Sequence, residues 1–167
     1  MADKEAENKE AETIFKKHGA NALKKFTEEK LSAWTKVRVK IAVTGQSGSG
    51  KSSLVNRLRG LTPKDKRNPL YAKVGVTQTT KDIKSYPFPS NPLLELVDLP
   101  GCGTQKFSID TYAEDMKFQD YDAFVLVTAS RFTENDKKIA TMIETNYKKP
   151  FFFCRNQMDT TIEEEAD

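Results

Sequence analysis

The segment "GQSGSGKS", residues 45–52, constrains the fold of this 167-residue chain more than any other. Two glycines that enclose four residues and are followed by lysine and a hydroxyl residue are typical of a loop that wraps a phosphate chain. The loop follows an apolar strand pattern, "VRVKIAVTG", and precedes a short helical pattern that ends near Gly60. This order predicts an α/β domain with an anion-binding loop at the carboxyl end of a central strand.

The residue types in this loop explain how it would bind phosphate. Glycines let the backbone turn successive N–H groups inward, and Lys51 is long enough to reach the β- and γ-phosphates. The hydroxyl of Ser52 is placed to bind Mg²⁺. A turn without a ligand is the alternative, which the flanking strand and helix disfavour. The predicted nucleotide-binding residues here are Gly45, Gln46, Ser47, Gly48, Ser49, Gly50, Lys51, Ser52 and Ser53.

Strand and helix patterns alternate along the rest of the chain. Residues 61–80 are predicted to form a long loop, and strands are predicted at "KDIKSYPF", "LLELVDL", "DAFVLVTA" and "KPFFFCRN", with a turn at "PSNP". Helices are predicted around "TYAEDMKF" and over "TENDKKIATMIETNY", the second capped by Thr133 with an apolar face of Ile139, Met142, Ile143 and Tyr147. This alternation predicts a three-layer α/β/α domain with a mostly parallel sheet covered on both faces.

Two further segments would complete a triphosphate site. In "LVDLPG", Asp98 ends a strand that is expected to neighbour the phosphate loop, and Gly101 follows three residues later. Asp98 would hold Mg²⁺ through a water, and the N–H of Gly101 would contact the γ-phosphate. In "GVTQTT", one of three threonines is expected to bind Mg²⁺, while at least two are ordinary residues entering a strand.

The tetrapeptide "NQMD", residues 156–159, follows the last predicted strand and indicates a loop that recognises guanine. The carboxylate of Asp159 would accept hydrogen bonds from N1–H and the exocyclic amine of guanine, and adenine does not offer that pattern. Asn156 would brace the loop and meet the other edge of the base. A polar turn after a strand is the alternative, which the upstream motifs disfavour. The same tetrapeptide disfavours an ATP-dependent kinase.

A charged N-terminal region, residues 1–36, precedes the predicted GTPase domain at 37–167. Leu23, Phe26, Leu31 and Trp34 recur at helical spacing, and Gly19 separates this helix from a weaker one before it. Packing of this stripe on the following domain is the simpler interpretation, and binding to a partner or a membrane surface is the alternative.

Composition excludes several classes of function. There are 27 Lys and Arg against 24 Asp and Glu, and a net charge of +3 is too small to indicate nucleic-acid binding. No apolar run is long enough to span a bilayer, and the charged start does not resemble a signal peptide, so a cytoplasmic protein is expected. Cys102 and Cys154 have no metal-binding spacing.

The segments "GQSGSGKSSLVNRLRG", "VGVTQTT", "DLPGCGT", "YDAFVLVTASRFTENDKKIA" and "FFFCRNQMD" resemble the GTPase domain of the immunity-related, interferon-inducible GTPases. The resemblance implies that "GVTQTT" is switch I, with Thr80 as the Mg²⁺-linked threonine, and that "DLPGCGT" is switch II. It also implies guanine-nucleotide and Mg²⁺ binding, and GTP-driven assembly with itself or related GTPases. Such assembly would take place at intracellular or pathogen-containing membranes, to which the chain would bind peripherally, in cell-autonomous defence.

Two departures from that family pattern affect the expectations. Gln157 stands where the family usually has a lysine, and the further strands and helices expected at the C-terminal end are missing, which would leave an exposed strand edge. Guanine preference with weakened affinity is therefore expected.

Slow hydrolysis is expected for a separate reason. Ras-type GTPases place a glutamine directly after the switch II glycine, but this chain has Cys102 there and Gln105 only three residues later. The predicted catalytic groups are thus Lys51, Thr80 and Gly101, with Ser52, Thr80 and Asp98 as metal ligands. The alternative is a form that binds nucleotide or a full-length relative without turnover.

Overall fold

The structure is a computed structural model that describes residues 2–75, 82–104, 107–129 and 131–156. It divides into two compact units, Met1–Val37 and Arg38–Asp167. The first unit is the helix α1 (Ala2–Trp34), interrupted at Gly19, which has non-helical angles of φ 77° and ψ −176°. The carboxylate of Glu10 lies 3.7 Å from the ammonium of Lys30, so the two halves of α1 fold back on each other.

The predicted apolar stripe of α1 is only partly buried. Leu23 and Phe26 are half-buried, as are Ala11 and Ile14 on the preceding half, whereas Leu31 is 60% exposed. In the part of the chain that the structure describes, no helix combines the length and apolarity that crossing a membrane requires.

The second unit contains a five-stranded sheet whose strands are β1 (Val39–Thr44), β2 (Lys84–Phe88), β3 (Asn91–Asp98), β4 (Ala123–Thr128) and β5 (Phe151–Arg155). Their order across the sheet is β2-β3-β1-β4-β5, with β2 antiparallel to β3 and every other pair parallel. The mostly parallel sheet is therefore confirmed. Because β1, β3, β4 and β5 run in one direction, their carboxyl ends meet at one edge, where the predicted site motifs follow them.

Helices α2 (Lys51–Leu58), α3 (Tyr112–Asp115) and α4 (Glu134–Thr141) cover the sheet. Neighbouring strand residues point to opposite faces, so Val43 packs with Val55 in one core while Ala42 packs with Ile139 in the other. The three-layer arrangement predicted from the sequence is confirmed.

Some predicted elements differ in length from those observed. The turn expected at "PSNP" is shorter, because β3 already begins at Asn91 and only two residues connect it to β2. The α3 helix is four residues long, since Lys117 adopts a left-handed φ of 54° and a 3₁₀ turn, Phe118–Asp120, follows. The helix after Thr133 is capped as expected, and its last turn, Met142–Asn146, is π-helical.

We expect Phe118→Ala to reduce the free energy of unfolding by about 3–5 kcal/mol, because it leaves a cavity among aromatic rings. Phe118 is fully buried, and its ring centroid lies 4.7 Å from that of Phe124 and 5.7 Å from that of Tyr112. Urea denaturation measures the change. The control is Phe152→Ala on β5, where the side chain is 67% exposed and the loss should stay within about 0.5 kcal/mol. Equal losses in the two variants would contradict this account of the core.

Candidate nucleotide-binding site

The loop of residues 45–52 connects the end of β1 to the start of α2. Gly45 has a φ of 137°, and a Cβ atom there would overlap the carbonyl oxygen of Val127 on the neighbouring strand β4. Only glycine fits such a position, where both the angle and the space exclude a side chain. The loop is buried at Gly45, where it leaves the sheet, and its tip at Ser47 and Gly48 is exposed to solvent. A ligand can therefore approach the tip from outside.

Lys51 is the first residue of α2, and its side chain folds back over the loop that precedes it. Its ammonium donates hydrogen bonds to the carbonyl oxygens of Gly45, at 3.1 Å, and Gln46, at 2.7 Å. Burial lowers the pKa of Lys51, and the negative charge of Asp98 opposes that effect. A buried cation whose ammonium donates to main-chain carbonyl oxygens is well suited to bind an anion that approaches the loop.

The two predicted metal ligands that the structure describes are in direct contact. The hydroxyl of Ser52 donates a hydrogen bond of 2.6 Å to the carboxylate of Asp98, which is 1% exposed at the end of β3. Ser53 follows Ser52 in the first turn of α2 and is half-buried. Thr80 lies outside the described residues. Hydroxyl and carboxylate oxygens are hard ligands of the kind that Mg²⁺ prefers, so this pair fits the ion.

The predicted switch II segment lies against the phosphate loop. A Cβ atom on Gly101 would lie 2.6 Å from the Cα of Ser47, so the two backbones are closer than a side chain would allow. The N–H of Cys102 donates to the carbonyl oxygen of Gly45 at 3.3 Å, and Cys102 forms a parallel β-bridge with Gln46. Glycine at position 101 is therefore required by packing as well as by any contact with phosphate.

Cys102 occupies the position directly after this glycine, where its side chain is buried. The residue is 1% exposed, and burial raises the pKa of its thiol to about 11. A thiol with this pKa remains protonated at neutral pH. Cys102 therefore has neither the exposure nor the charge to act as a base toward water. Gln105 lies outside the described residues.

Asn156 joins the predicted base-recognition loop to the phosphate loop. Its N–H donates to the carbonyl oxygen of Thr128 at 2.9 Å, and its side-chain amide donates to the carbonyl oxygen of Ser49 at 3.2 Å. The bracing role expected of Asn156 thus has a specific partner. Gln157 and Asp159 lie outside the described residues.

Two polar residues that were not singled out from the sequence, Asn56 on α2 and Arg59 directly after it, bond to the loop that follows. Asn56 donates to the carbonyl oxygen of Ala72 and accepts from the N–H of Ala72, both at 2.8 Å. Arg59 donates to the carbonyl oxygen of Leu70 at 2.6 Å. They fix the part of the loop that leads into "GVTQTT". The available sequence signal was the position of Asn56, four residues after Ser52 and so on the same face of the helix.

Tyr112 was also missed as a site residue. Its hydroxyl donates to the carbonyl oxygen of Pro100 at 2.6 Å and, having one hydrogen, accepts from the hydroxyl of Thr44 at 3.0 Å. Burial raises the pKa of Tyr112 far above its usual value. The tyrosine therefore ties the segment before Gly101 to the end of β1. Its sequence pattern predicted only a helix.

Comparison with known proteins identifies related chains. A family model described as Interferon-inducible GTPase (IIGP) matches residues 5–167. The mouse Interferon-inducible GTPase 1 is 43% identical over 127 residues, which cover 76% of this chain and 30% of that protein. The rat Interferon-inducible GTPase 5 is 39% identical over 134 residues, which cover 80% of this chain and 28% of that protein. The chain thus spans less than a third of the length of these curated relatives.

A solved structure supports the fold. The NFeoB protein of S. thermophilus, in a crystal structure with GDP·AlF₄⁻ and K⁺, aligns with a TM-score of 0.57 and 24% identity. The alignment covers 76% of this chain and 47% of that one. This alignment supports the fold, and the match of the family model to nearly the whole sequence identifies the family. The chain belongs to the interferon-inducible GTPase family and has the fold of its GTPase domain.

Proposed function

We propose that this chain binds GTP and GDP together with Mg²⁺ and hydrolyses GTP slowly. The observation that supports the proposal most strongly is the convergence of three segments at one edge of the sheet. Lys51 is buried in the glycine loop, Ser52 bonds to Asp98, and Gly101 lies against the loop at Ser47. These are the groups that a nucleoside triphosphate with a divalent ion requires.

In this proposal Lys51 exchanges main-chain partners for phosphate oxygens. Its ammonium is held by the carbonyl oxygens of Gly45 and Gln46 in the structure. Phosphate offers full negative charge in place of carbonyl dipoles, and bonds between ionised groups are stronger. The added negative charge also opposes the effect of burial on the pKa of Lys51, so the bound nucleotide favours the protonated lysine.

The residues that would hold Mg²⁺ are Ser52, Asp98 and, beyond the described residues, Thr80. The ion, when bound, neutralises the negative charge that develops on the transferred phosphoryl group. The chain itself contributes the positioning of the phosphates by the loop N–H groups and by Lys51.

Slow turnover follows from the residues around the attacking water. Cys102, directly after Gly101, is buried and protonated, so it does not orient or deprotonate water. We infer that a second molecule completes the site, and that hydrolysis is coupled to self-assembly.

Guanine recognition would come from the segment after β5. Asn156 is bonded to the phosphate loop at Ser49, and this contact would position the segment that follows it. Asp159, three residues on, would then accept the two hydrogen bonds that distinguish guanine from adenine. Gln157 lacks the charge and longer stem of lysine, so affinity should be lower than in a protein with lysine at that position.

We also propose a cellular role and location for the chain, on the basis of its family membership. The named relatives are interferon-inducible GTPases of mouse and rat. On that basis the chain would act in cell-autonomous defence, in the cytoplasm and peripherally on intracellular membranes, assembling with itself or with related GTPases.

Lys51→Ala should weaken GTP binding by about 100-fold or more, because it removes the buried ammonium that would pair with the β- and γ-phosphates. Isothermal titration calorimetry measures the affinity. The matched control is Lys64→Ala in the exposed loop after α2, which should leave GTP affinity unchanged. An unaltered GTP affinity in Lys51→Ala would remove the basis of the phosphate-loop assignment.

If a second molecule completes the site, GTP turnover per molecule should rise with protein concentration. Phosphate release measured across a hundredfold range of protein concentration tests this expectation. A constant specific activity would show a self-contained site and contradict the assembly proposal. Nucleotide binding without any phosphate release would favour a non-hydrolysing form.

Asp159→Asn should shift preference from guanine toward xanthine. The amide would offer a donor to the O2 carbonyl of xanthine, while its oxygen still accepts from N1–H. Competition between GTP and xanthosine triphosphate for the protein measures the shift, and Asp65→Asn, in a turn after α2, serves as the control. If Asp159→Asn keeps full GTP affinity and gains none for xanthosine triphosphate, the guanine assignment is wrong.

A further inference from the structure

The side chain of Gln46 leaves the phosphate loop and reaches the first turn of α4. Its amide nitrogen donates to the hydroxyl oxygen of Thr133 and, at 3.3 Å, to the carboxylate oxygen Oδ2 of Asp136. Gln46 is therefore directed away from the tip of the loop, where a phosphate chain would lie. Any contact it makes with nucleotide would come from its backbone.

The partners of Gln46 form the capping box of α4. Oδ2 of Asp136 accepts from the N–H of Thr133 at 2.9 Å and from its hydroxyl at 2.8 Å. The N–H of Asp136 donates to the same hydroxyl at 3.3 Å. Gln46 thus adds a donor from a distant segment to a motif that is otherwise local.

A second capping box allows a comparison, because no donor from a distant described residue reaches it. Thr62 and Asp65 make the same pair of bonds, at 2.7 and 2.8 Å, in a 3₁₀ turn. Asp65 is half-exposed, whereas Asp136 is 1% exposed. Capping alone does not require a carboxylate to be buried, and burial is costly unless the oxygens are bonded. Gln46 gives Oδ2 of Asp136 an additional donor, whereas Oδ1 is buried without a hydrogen-bond partner among the described residues.

Gln46 also contacts the switch II segment through its backbone. It forms a parallel β-bridge with Cys102, and the charge of Asp136 is close enough to contribute to the raised pKa of that thiol. One residue therefore connects the phosphate loop, the residue after Gly101 and the start of α4. A loop that is fixed at such a junction loses less conformational freedom when it closes around a ligand.

We propose that Gln46 and Asp136 form a positioning pair that holds the phosphate loop in its binding conformation and slows the release of guanine nucleotide. This proposal rests on the proposed function for the identity of the nucleotide. Because coupling between two sites is reciprocal, bound nucleotide should in turn stabilise the first turn of α4. Neither side chain touches the reacting atoms.

The test compares GDP dissociation from the full chain for wild type, Gln46→Ala, Asp136→Asn and the double variant. Loss or weakening of the hydrogen bond between the pair should speed dissociation by about three- to tenfold in each single variant. The double variant should dissociate no faster than Gln46→Ala, because the change at Gln46 already removes the contact that Asp136→Asn weakens. Thr62→Ala, which disrupts the other capping box, should leave the rate unchanged.

Amide hydrogen exchange supplies a readout that simple loss of stability would not move. GDP should slow exchange at residues 134–137 in wild type and fail to do so in Gln46→Ala. The side chain of Gln46 is partly exposed, and its removal leaves the bonds between Thr133 and Asp136 in place. Dissociation from Gln46→Ala at the wild-type rate, or strictly additive effects in the double variant, would overturn the proposal.

The experiment also separates this inference from the proposed function. If the wild-type chain binds no guanine nucleotide, the proposed function fails. Amide hydrogen exchange at residues 45–52 in nucleotide-free protein then tests whether Gln46 and Asp136 hold the phosphate loop. Exchange there should be faster in Asp136→Asn than in wild type and Thr62→Ala. Equal exchange in the three proteins would show that α4 does not hold the loop.

Discussion

The buried ammonium group of Lys51 is the interaction on which the arrangement of the site depends. A charge taken out of water must be met by oxygen atoms, and here the carbonyls of Gly45 and Gln46 supply them at 3.1 and 2.7 Å. Those carbonyls face the lysine only because the loop turns tightly at its glycines. The carboxylate of Asp98 adds a longer-range attraction that opposes the lowering of the lysine pKa by burial. The glycine loop, the lysine and the end of β3 therefore require one another.

The parallel sheet brings these groups to the same edge. Val43 is paired with Asp98 across β1 and β3, and Thr44 is paired with Leu126 across β1 and β4. The segments that follow these strands must then share a small volume above the sheet. Glycines allow the backbones to come this close. Gly45 has no side chain to overlap β4, and Gly101 has none to overlap the loop at Ser47. The same proximity allows Tyr112 and Asn156 to bond to the segments around the loop.

Much of the fold was predictable because its signals are local. The five strands, the covered sheet and the capped start of α4 follow from apolar periodicity and from residues such as Thr133. Element lengths were less predictable. The left-handed backbone at Lys117 shortened α3, and the two-residue connection between β2 and β3 depends on how these strands pair. Burial was also hard to predict. Helical spacing assigned Leu31 to the apolar stripe of α1, but its side chain is exposed in the structure.

The amino-acid pattern was enough to predict the phosphate loop and the alternation of strands and helices, and its motifs carried the resemblance to the interferon-inducible GTPases. Each depends on residue types at short, fixed spacings. Which distant groups meet became visible only in the folded chain. Gln46 bonds to a residue 87 positions away, and Asn156 to one 107 positions away. Spacing along the chain does not encode such contacts, because they arise when the order of strands across the sheet sets the neighbours of each loop.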